Sequence, residues 1–352
     1  MAYVGTLLSM KKQERLDGFV REIWAWYARN KRELPWRDST IKNDTERAYR
    51  VLVSEIMLQQ TQVIRVKIVF RNFLERFPSV RDLADVTNKD VILAWRGMGY
   101  NSRALRLRDA ARSITHDFGG IFPQDMEQLL SINGLGPYTA AAVRNFAFDI
   151  PTPCIDTNIR RILHRTFVGP ENADGTWETG DRELLKIAEE VLGVAIKPPS
   201  PRPSPASGRG WSEGPGEGAR TTANWHAALM DYGSLVQTKN NPRWDICVLT
   251  EARLMKTTPG NWQRPVRGEA KKRIACEPGR LVGSVFIPNR IFRGKIVEAL
   301  RDADSGLTPD QVGAIVCMDW HIDHKTWLKS LITKLIQENI LAEKKGKLVL
   351  AD

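Results

Sequence analysis

Residues 129–143 read LLSINGLGPYTAAAV. Leu129, Leu130 and Ile132 close a short helix, Gly134, Leu135 and Gly136 make a hairpin, and Pro137 opens an alanine-rich second helix. Glycine supplies the backbone freedom such a turn needs and lets another chain segment approach closely. Proline at the first helical position gives up an amide that has no helical partner anyway. The unpaired amides at the new helix start can hold a phosphate oxygen without reading a base. Turns between helices also occur for packing alone, so the motif by itself leaves both readings open.

Outward from this stretch the pattern stays helical over residues 11–195. In VIRVKIVFRNFLERFPSV, Val66, Phe70, Phe73, Leu74 and Phe77 fall at helical spacing, and Pro78 ends the run. NKDVILAWRGM, SRALRLRDAARSITHDF, YTAAAVRNFAF, TNIRRILHRTF and DRELLKIAEEVLG repeat that pattern, while alternating strand-like runs are scarce. An all-α domain is expected over 11–255, interrupted at 197–222 by KPPSPRPSPASGRGWSEGPGEGARTT, whose Pro, Gly and Ser offer little to bury and predict a disordered insert. The helical pattern resumes in NWHAALMDYGSLV. A polar link over 256–284 leads to NRIFRGKIVEALRDA, TPDQVGAIV and TWLKSLITKLIQENIL, then to the lysine-flanked strand KKGKLVLA. Residues 285–352 are therefore expected to form a winged-helix-like domain with a small β-wing, Lys325, Lys329 and Lys334 lying on or near its third helix. A small packing domain with a solvated basic face is the alternative.

Lysine and arginine number 52 against 41 acids, a formal charge of +11 that suits a polyanionic partner such as nucleic acid. Cys154, Cys247, Cys276 and Cys317 are spaced too widely for a disulfide framework or a CxxC metal site. No stretch approaches the roughly 20 apolar residues of a membrane helix. The N-terminus lacks the basic start, apolar core and cleavage site of a signal peptide, and Met10 offers an alternative start. A soluble, cytoplasmic, monomeric protein is expected, nucleoid-associated if bacterial.

Asp156 in PCIDTNIRRIL stands at a helix start, where an aspartate ordinarily serves as an N-cap contributing about 1 kcal/mol. It gains weight from its company: LPWR (34–37), SEIMLQQTQV (54–63), GMGYNSRALRL (97–107), INGLGPYTAAAV (132–143) and IDTNIRRIL (155–163) follow one another in order. Over residues 18–255, apart from the insert, this series resembles the helix-hairpin-helix DNA glycosylase superfamily, and in LPWR and LQQT its adenine DNA glycosylases of the MutY type. The resemblance implies a two-lobed helical domain that removes adenine mispaired with 8-oxoguanine or guanine from double-stranded DNA during base excision repair. It implies that Glu55 protonates the adenine ring and that Asp156 stabilises the cationic sugar, as two carboxylates share glycoside hydrolysis. Glu55 would then need a pKa raised by burial; a solvent-facing Glu55 is the alternative. Tyr138 stands where strand-cutting relatives carry a lysine, which implies a monofunctional enzyme, although a Tyr there also suits core packing. By the same resemblance Gln60 wedges into the duplex, Tyr100 intercalates, and Arg32, Leu34, Trp36, Arg37 and Asn158 line or support the adenine pocket. Gly134, Leu135, Gly136 and Thr139 would meet the DNA backbone. Trp36 as ordinary core and Tyr100 as a half-buried turn aromatic are the alternatives.

Two departures stand out. Most members of the family hold a four-iron, four-sulfur cluster on four cysteines spaced C-x6-C-x2-C-x5-C, and the matching positions here are Gln237, Trp244, Cys247 and Arg253. A member without the cluster, without metal or other cofactor, is expected, with Trp244 and other side chains filling the space. Residues 285–352 are also too short for the domain that usually recognises 8-oxoguanine. Two further readings stay open: excision of thymine or uracil opposite guanine, and a non-catalytic DNA-binding protein on the same scaffold.

Overall fold

The computed structural model describes residues 11–197, 220–265 and 277–352. Met10, most of the 197–222 insert and residues 266–276 of the expected link lie outside them. The described chain forms two compact units, one built from Met1–Arg37 with Ala140–Glu269 and the other from Asp38–Thr139 with Ala270–Asp352.

The first unit contains α1 (Lys12–Asn30), then, beyond the second unit's helices, α9 (Thr157–Leu163), α10 (Asp181–Ala195), α11 (Thr222–Leu235) and the single turn α12 (Val248–Glu251). α1 packs on α10, α11 and α12, and α9 packs on α11. The apolar stripe of α1 supplies Phe19, Ile23 and Trp26 to a core closed by Trp225 and Tyr232 of α11, with Trp26 and Tyr232 edge-to-face at 5.0 Å. Local signals set the helix starts: Asp156 and Thr221 accept from the first-turn amides of α9 and α11. The last two residues of the expected insert thus cap and open a helix. The first residues of the expected link are pinned as well, Lys256 and Thr257 donating their amides to Thr166 O and Arg165 O.

The second unit contains α2 (Asp44–Leu58), α3 (Val63–Arg76), α4 (Val80–Ala84), α5 (Asn88–Ala94), α6 (Ser102–Asp117) and α7 (Met126–Ser131). α8 (Pro137–Phe148) crosses the unit boundary after Thr139. α6 packs on α2, α4 and α5 around Trp95, Phe73 and Phe77. To the same unit belong α13 (Asn289–Arg301), α14 (Pro309–Val316) and α15 (Lys325–Gln337), the three expected C-terminal helices.

The strands differ from the sequence reading. A hairpin pairs β1 (Gly279–Val282), at the end of the stretch read as a link, with β2 (Val285–Pro288), at the start of the expected C-terminal domain. The expected single strand is one arm of a second hairpin, β3 (Leu341–Lys344) with β4 (Lys347–Leu350), turned by Lys345 and Gly346 at φ 52° and 74°. Leu307 bridges to Leu348. Among the described residues no helix is long and apolar enough to cross a membrane.

Candidate functional site

In the second unit the expected wedge and intercalating residues, Gln60 and Tyr100, lie on two turns tied together by one buried arginine. α2 ends at Leu58, and Gln60 follows with φ 56° and an exposed side chain. The turn before α6 has Gly97, Gly99 and Tyr100 at φ 83°, 65° and 46°. A tyrosine in that left-handed region is strained, and its ring is 48% exposed. Arg103, 3% exposed, donates to Ile56 O (3.0 Å), Met57 O (3.0 Å) and Gln59 O on one side. On the other side it donates to Met98 O (3.0 Å) and Gly99 O (3.2 Å), and Thr61 Oγ1 also accepts from it at 3.1 Å. Its guanidinium lies 5.6 Å from the Tyr100 ring and 5.5 Å from that of Trp95. Burial pulls its pKa down to about 10. The sequence reading passed over Arg103; the signal was an arginine in the first turn of the helix after GMGY.

Glu55 lies on α2 with 8% exposure, so the solvent-facing alternative does not hold. In the hairpin Gly134 has φ 90°, and a Cβ there would stand 3.2 Å from Arg106 O, the close approach that glycine permits. At Gly136 no heavy atom lies within 4 Å of the equivalent point. Leu135 and Thr139 are buried and Tyr138 is half-buried at the start of α8.

In the first unit Asp156 caps α9. Its Oδ1 accepts from the amides of Asn158 (2.9 Å) and Ile159 (2.6 Å), and its Oδ2 from Asn158 Nδ2 (2.8 Å). Burial pushes the carboxyl above the ordinary carboxylate range, against the pull of those three bonds and of Arg161 nearby. Asn158 is held in turn: its Oδ1 accepts from Arg161 Nη2 at 2.7 Å, and the same guanidinium donates to Gly233 O (2.9 Å) and Gln237 O. α11 comes so close here that a Cβ on Gly233 would stand 2.7 Å from Asn158 Cβ and 3.0 Å from its carbonyl oxygen. Arg161 and Gly233 are positioning residues that the sequence reading did not find.

Asp231 is a third. Fully buried on α11, it accepts from Arg32 N (3.1 Å) and Arg32 Nε (2.7 Å) and from both terminal nitrogens of Arg37 (2.9 and 3.0 Å). Arg32 and Arg37 are therefore committed to supporting the segment 32–37, with Leu34 buried between them. Lys31, Arg32, Glu33, Leu34 and Arg37 line a cleft of about 310 Å³. Trp36 is half-buried in the short helical turn Pro35–Arg37.

The positions expected for cluster cysteines do not fit a cluster. Cys247 Sγ is met by Tyr232 Oη (3.1 Å), Gln237 Nε2 (3.2 Å) and Met255 Sδ (3.5 Å), all buried. Gln237 also accepts from Arg165 Nη1 at 3.0 Å. Trp244, expected to fill this space, is half-buried and packs against Trp262 at 6.1 Å. Among the described residues no group of three or more His, Cys, Asp or Glu could hold a metal ion.

Helix, hairpin, helix and a capping aspartate beyond them define a class, and residues 53–189 match the model of the HhH-GPD superfamily base excision DNA repair proteins. A thermostable thymine-DNA glycosylase shares the fold, with TM-score 0.53 and 23% identity over 69% of this chain and 96% of that one. The adenine DNA glycosylase of Mycolicibacterium smegmatis is 31% identical over 298 residues, 85% of each chain. That of Rattus norvegicus is 38% identical over 184 residues, 51% of this chain and 35% of the rat protein. The chain belongs to the adenine DNA glycosylases.

Proposed function

We propose that this protein hydrolyses the N-glycosidic bond of adenine mispaired with 8-oxoguanine or guanine in double-stranded DNA, without cutting the strand. The observation that carries the reading is the environment of Asp156. Its three donors are neutral, and among the described residues no lysine or arginine pairs with it directly. Asp231, clasped by two arginines, has its charge spent; Asp156 has no such direct cationic partner, so a charge on it is available to set against a developing sugar cation.

Glu55 delivers a proton to the adenine ring, the bond from the ring nitrogen to the sugar carbon breaks with its electron pair going to the base, and Asp156 faces the resulting oxocarbenium ion. Water adds to the sugar carbon and loses a proton, leaving an abasic site. The adenine must leave the stack to be reached, and the exposed Gln60 and Tyr100 on their left-handed turns suit wedging and stacking. The open space at Gly136 suits a phosphate at the hairpin. Tyr138 offers no amine for a Schiff base, which supports hydrolysis alone. The packing of Tyr232, Gln237 and Met255 on Cys247 supports an enzyme that folds without an iron–sulfur cluster.

The test is incubation with duplexes carrying A opposite 8-oxoguanine, A opposite G, T opposite G and U opposite G, followed by alkali. Product from the adenine duplexes that needs alkali to appear is expected. No adenine product sinks the reading, and cleavage without alkali sinks its monofunctional part.

A further inference from the structure

Asn101 stands at the N-cap of α6, one residue past Tyr100, where an asparagine oxygen ordinarily accepts from a first-turn amide. It makes no such bond. Its Oδ1 accepts instead from Arg301 Nη2 at 2.9 Å, and the same nitrogen donates to Ile92 O at 3.0 Å. One guanidinium, at the last residue of α13, thus grips both ends of the segment 92–101 that carries the Tyr100 turn. Arg301 is 7% and Asn101 8% exposed. A reciprocal set of contacts surrounds the grip. Arg96, inside the segment, pairs with Glu298 (3.4 Å) and Asp302 (2.5 Å) of the C-terminal module, and Asn88 Nδ2 donates to Asn339 O at 2.7 Å.

Nothing in the charge of this module makes it a polyanion clamp: residues 277–352 carry eleven Lys and Arg against ten Asp and Glu. Lys325 of the expected basic face is paired with Asp310 at 2.9 Å. What the module has is a buried cation that takes neutral oxygens from the turn, at the cost of leaving the α6 cap unmade. A strained aromatic turn needs such external support to persist.

We propose that the C-terminal module, through Arg301, is a positioning element for Tyr100, holding the turn in the geometry that presents its ring to the duplex. The inference rests on the reading that Tyr100 stacks in DNA. It gives residues 279–352 a role in mismatch reading that runs through the turn.

The test is fluorescence anisotropy of the full chain with a duplex carrying A opposite 8-oxoguanine and with a matched duplex. Arg301→Met is expected to weaken binding of the mismatch about tenfold, as Tyr100→Ala does, and the double variant is expected to be no weaker than Tyr100→Ala alone. Leu331→Ala, which hollows the module's own core, is expected to lower the melting temperature and leave mismatch affinity within about twofold. Losses that add in the double variant, or an equal loss in Leu331→Ala, overturn the proposal. If Arg301→Met does not fold, Asn101→Ala removes the same bond from the other side and is read by the same criteria. A wild type that discriminates the mismatch in binding but releases no adenine refutes the catalytic reading and leaves this one standing.

Discussion

Each unit places a buried arginine beside its candidate site residues, Arg103 in the second and Arg161 in the first, and the two work differently. Arg103 in the second unit donates to five backbone carbonyls and a hydroxyl, with no carboxylate among its partners. Arg161 in the first also takes carbonyls, but it spends one bond on Asn158, whose amide holds Asp156. Burial brings both guanidinium pKa values down to about 10. Arg103 holds two turns in shape; Arg161 aims one carboxylate without neutralising it. A planar fork of donors serves both ends, and what distinguishes them is whether a reactive group lies one bond further on.

The sharpest break in that comparison is Asp156→Asn, which keeps an N-cap acceptor but removes the charge that Arg161 helps to aim. Adenine excision, measured under single-turnover conditions, is expected to fall about 10³-fold. Stability moves the other way. A carboxyl whose pKa is raised on folding stabilises the fold at low pH and loses that contribution as pH rises through the folded value. The Asn variant should therefore melt no lower than wild type at neutral pH, with any advantage shrinking toward acid.

Arg103→Met probes the other hub and is expected to cost about 3 kcal/mol in denaturant unfolding, because several buried carbonyls lose their donor together. Arg103→Lys should recover only part, since a single ammonium cannot span both turns. Gly233→Ala sharpens the first hub: the added carbon would meet Asn158 at 2.7 Å. A loss of about 10²-fold in excision rate is expected from the displaced aspartate, with DNA affinity nearly unchanged. The most gradual effect, spread over a pH window, is a pH dependence unrelated to either arginine. His226, buried and bonded to Thr222 O at 2.9 Å, has its pKa drawn down by burial to about 4 from the usual 6.5. Its contribution is present above pH 6.5 and is lost as pH falls toward 4, roughly 1.4 kcal/mol per pH unit across that window. Flat unfolding free energy over that range in wild type, or an equal slope in His226→Gln, would contradict it.

The helices and the hairpin were legible because each is a local pattern, apolar spacing and a Gly–Pro turn; Asp156 was legible locally only as an aspartate before a helix, and Glu55 was singled out as catalytic only through the family resemblance. The first strand pair was not legible, since four-residue strands with half-exposed side chains look like a polar link. The second was half-legible, its turn hidden within the lysines of KKGK. Asp231 was invisible for another reason: its partners Arg32 and Arg37 lie 199 and 194 residues away, and no local spacing announces such a clasp. Gly233 reads as an ordinary helical glycine until α9 is known to press against it.

The interleaving of the two units bears on how the chain is made. α1 leaves the ribosome ahead of its partner with Phe19, Ile23 and Trp26 on one face, and the aromatic side of α11 that covers them is encoded some 200 residues later. At a translation speed of roughly 5 to 20 residues per second, that face waits about 10 to 40 seconds for its partner. The second unit likewise closes only when α13 supplies Arg301, so each unit stays incomplete until its later segment has been made.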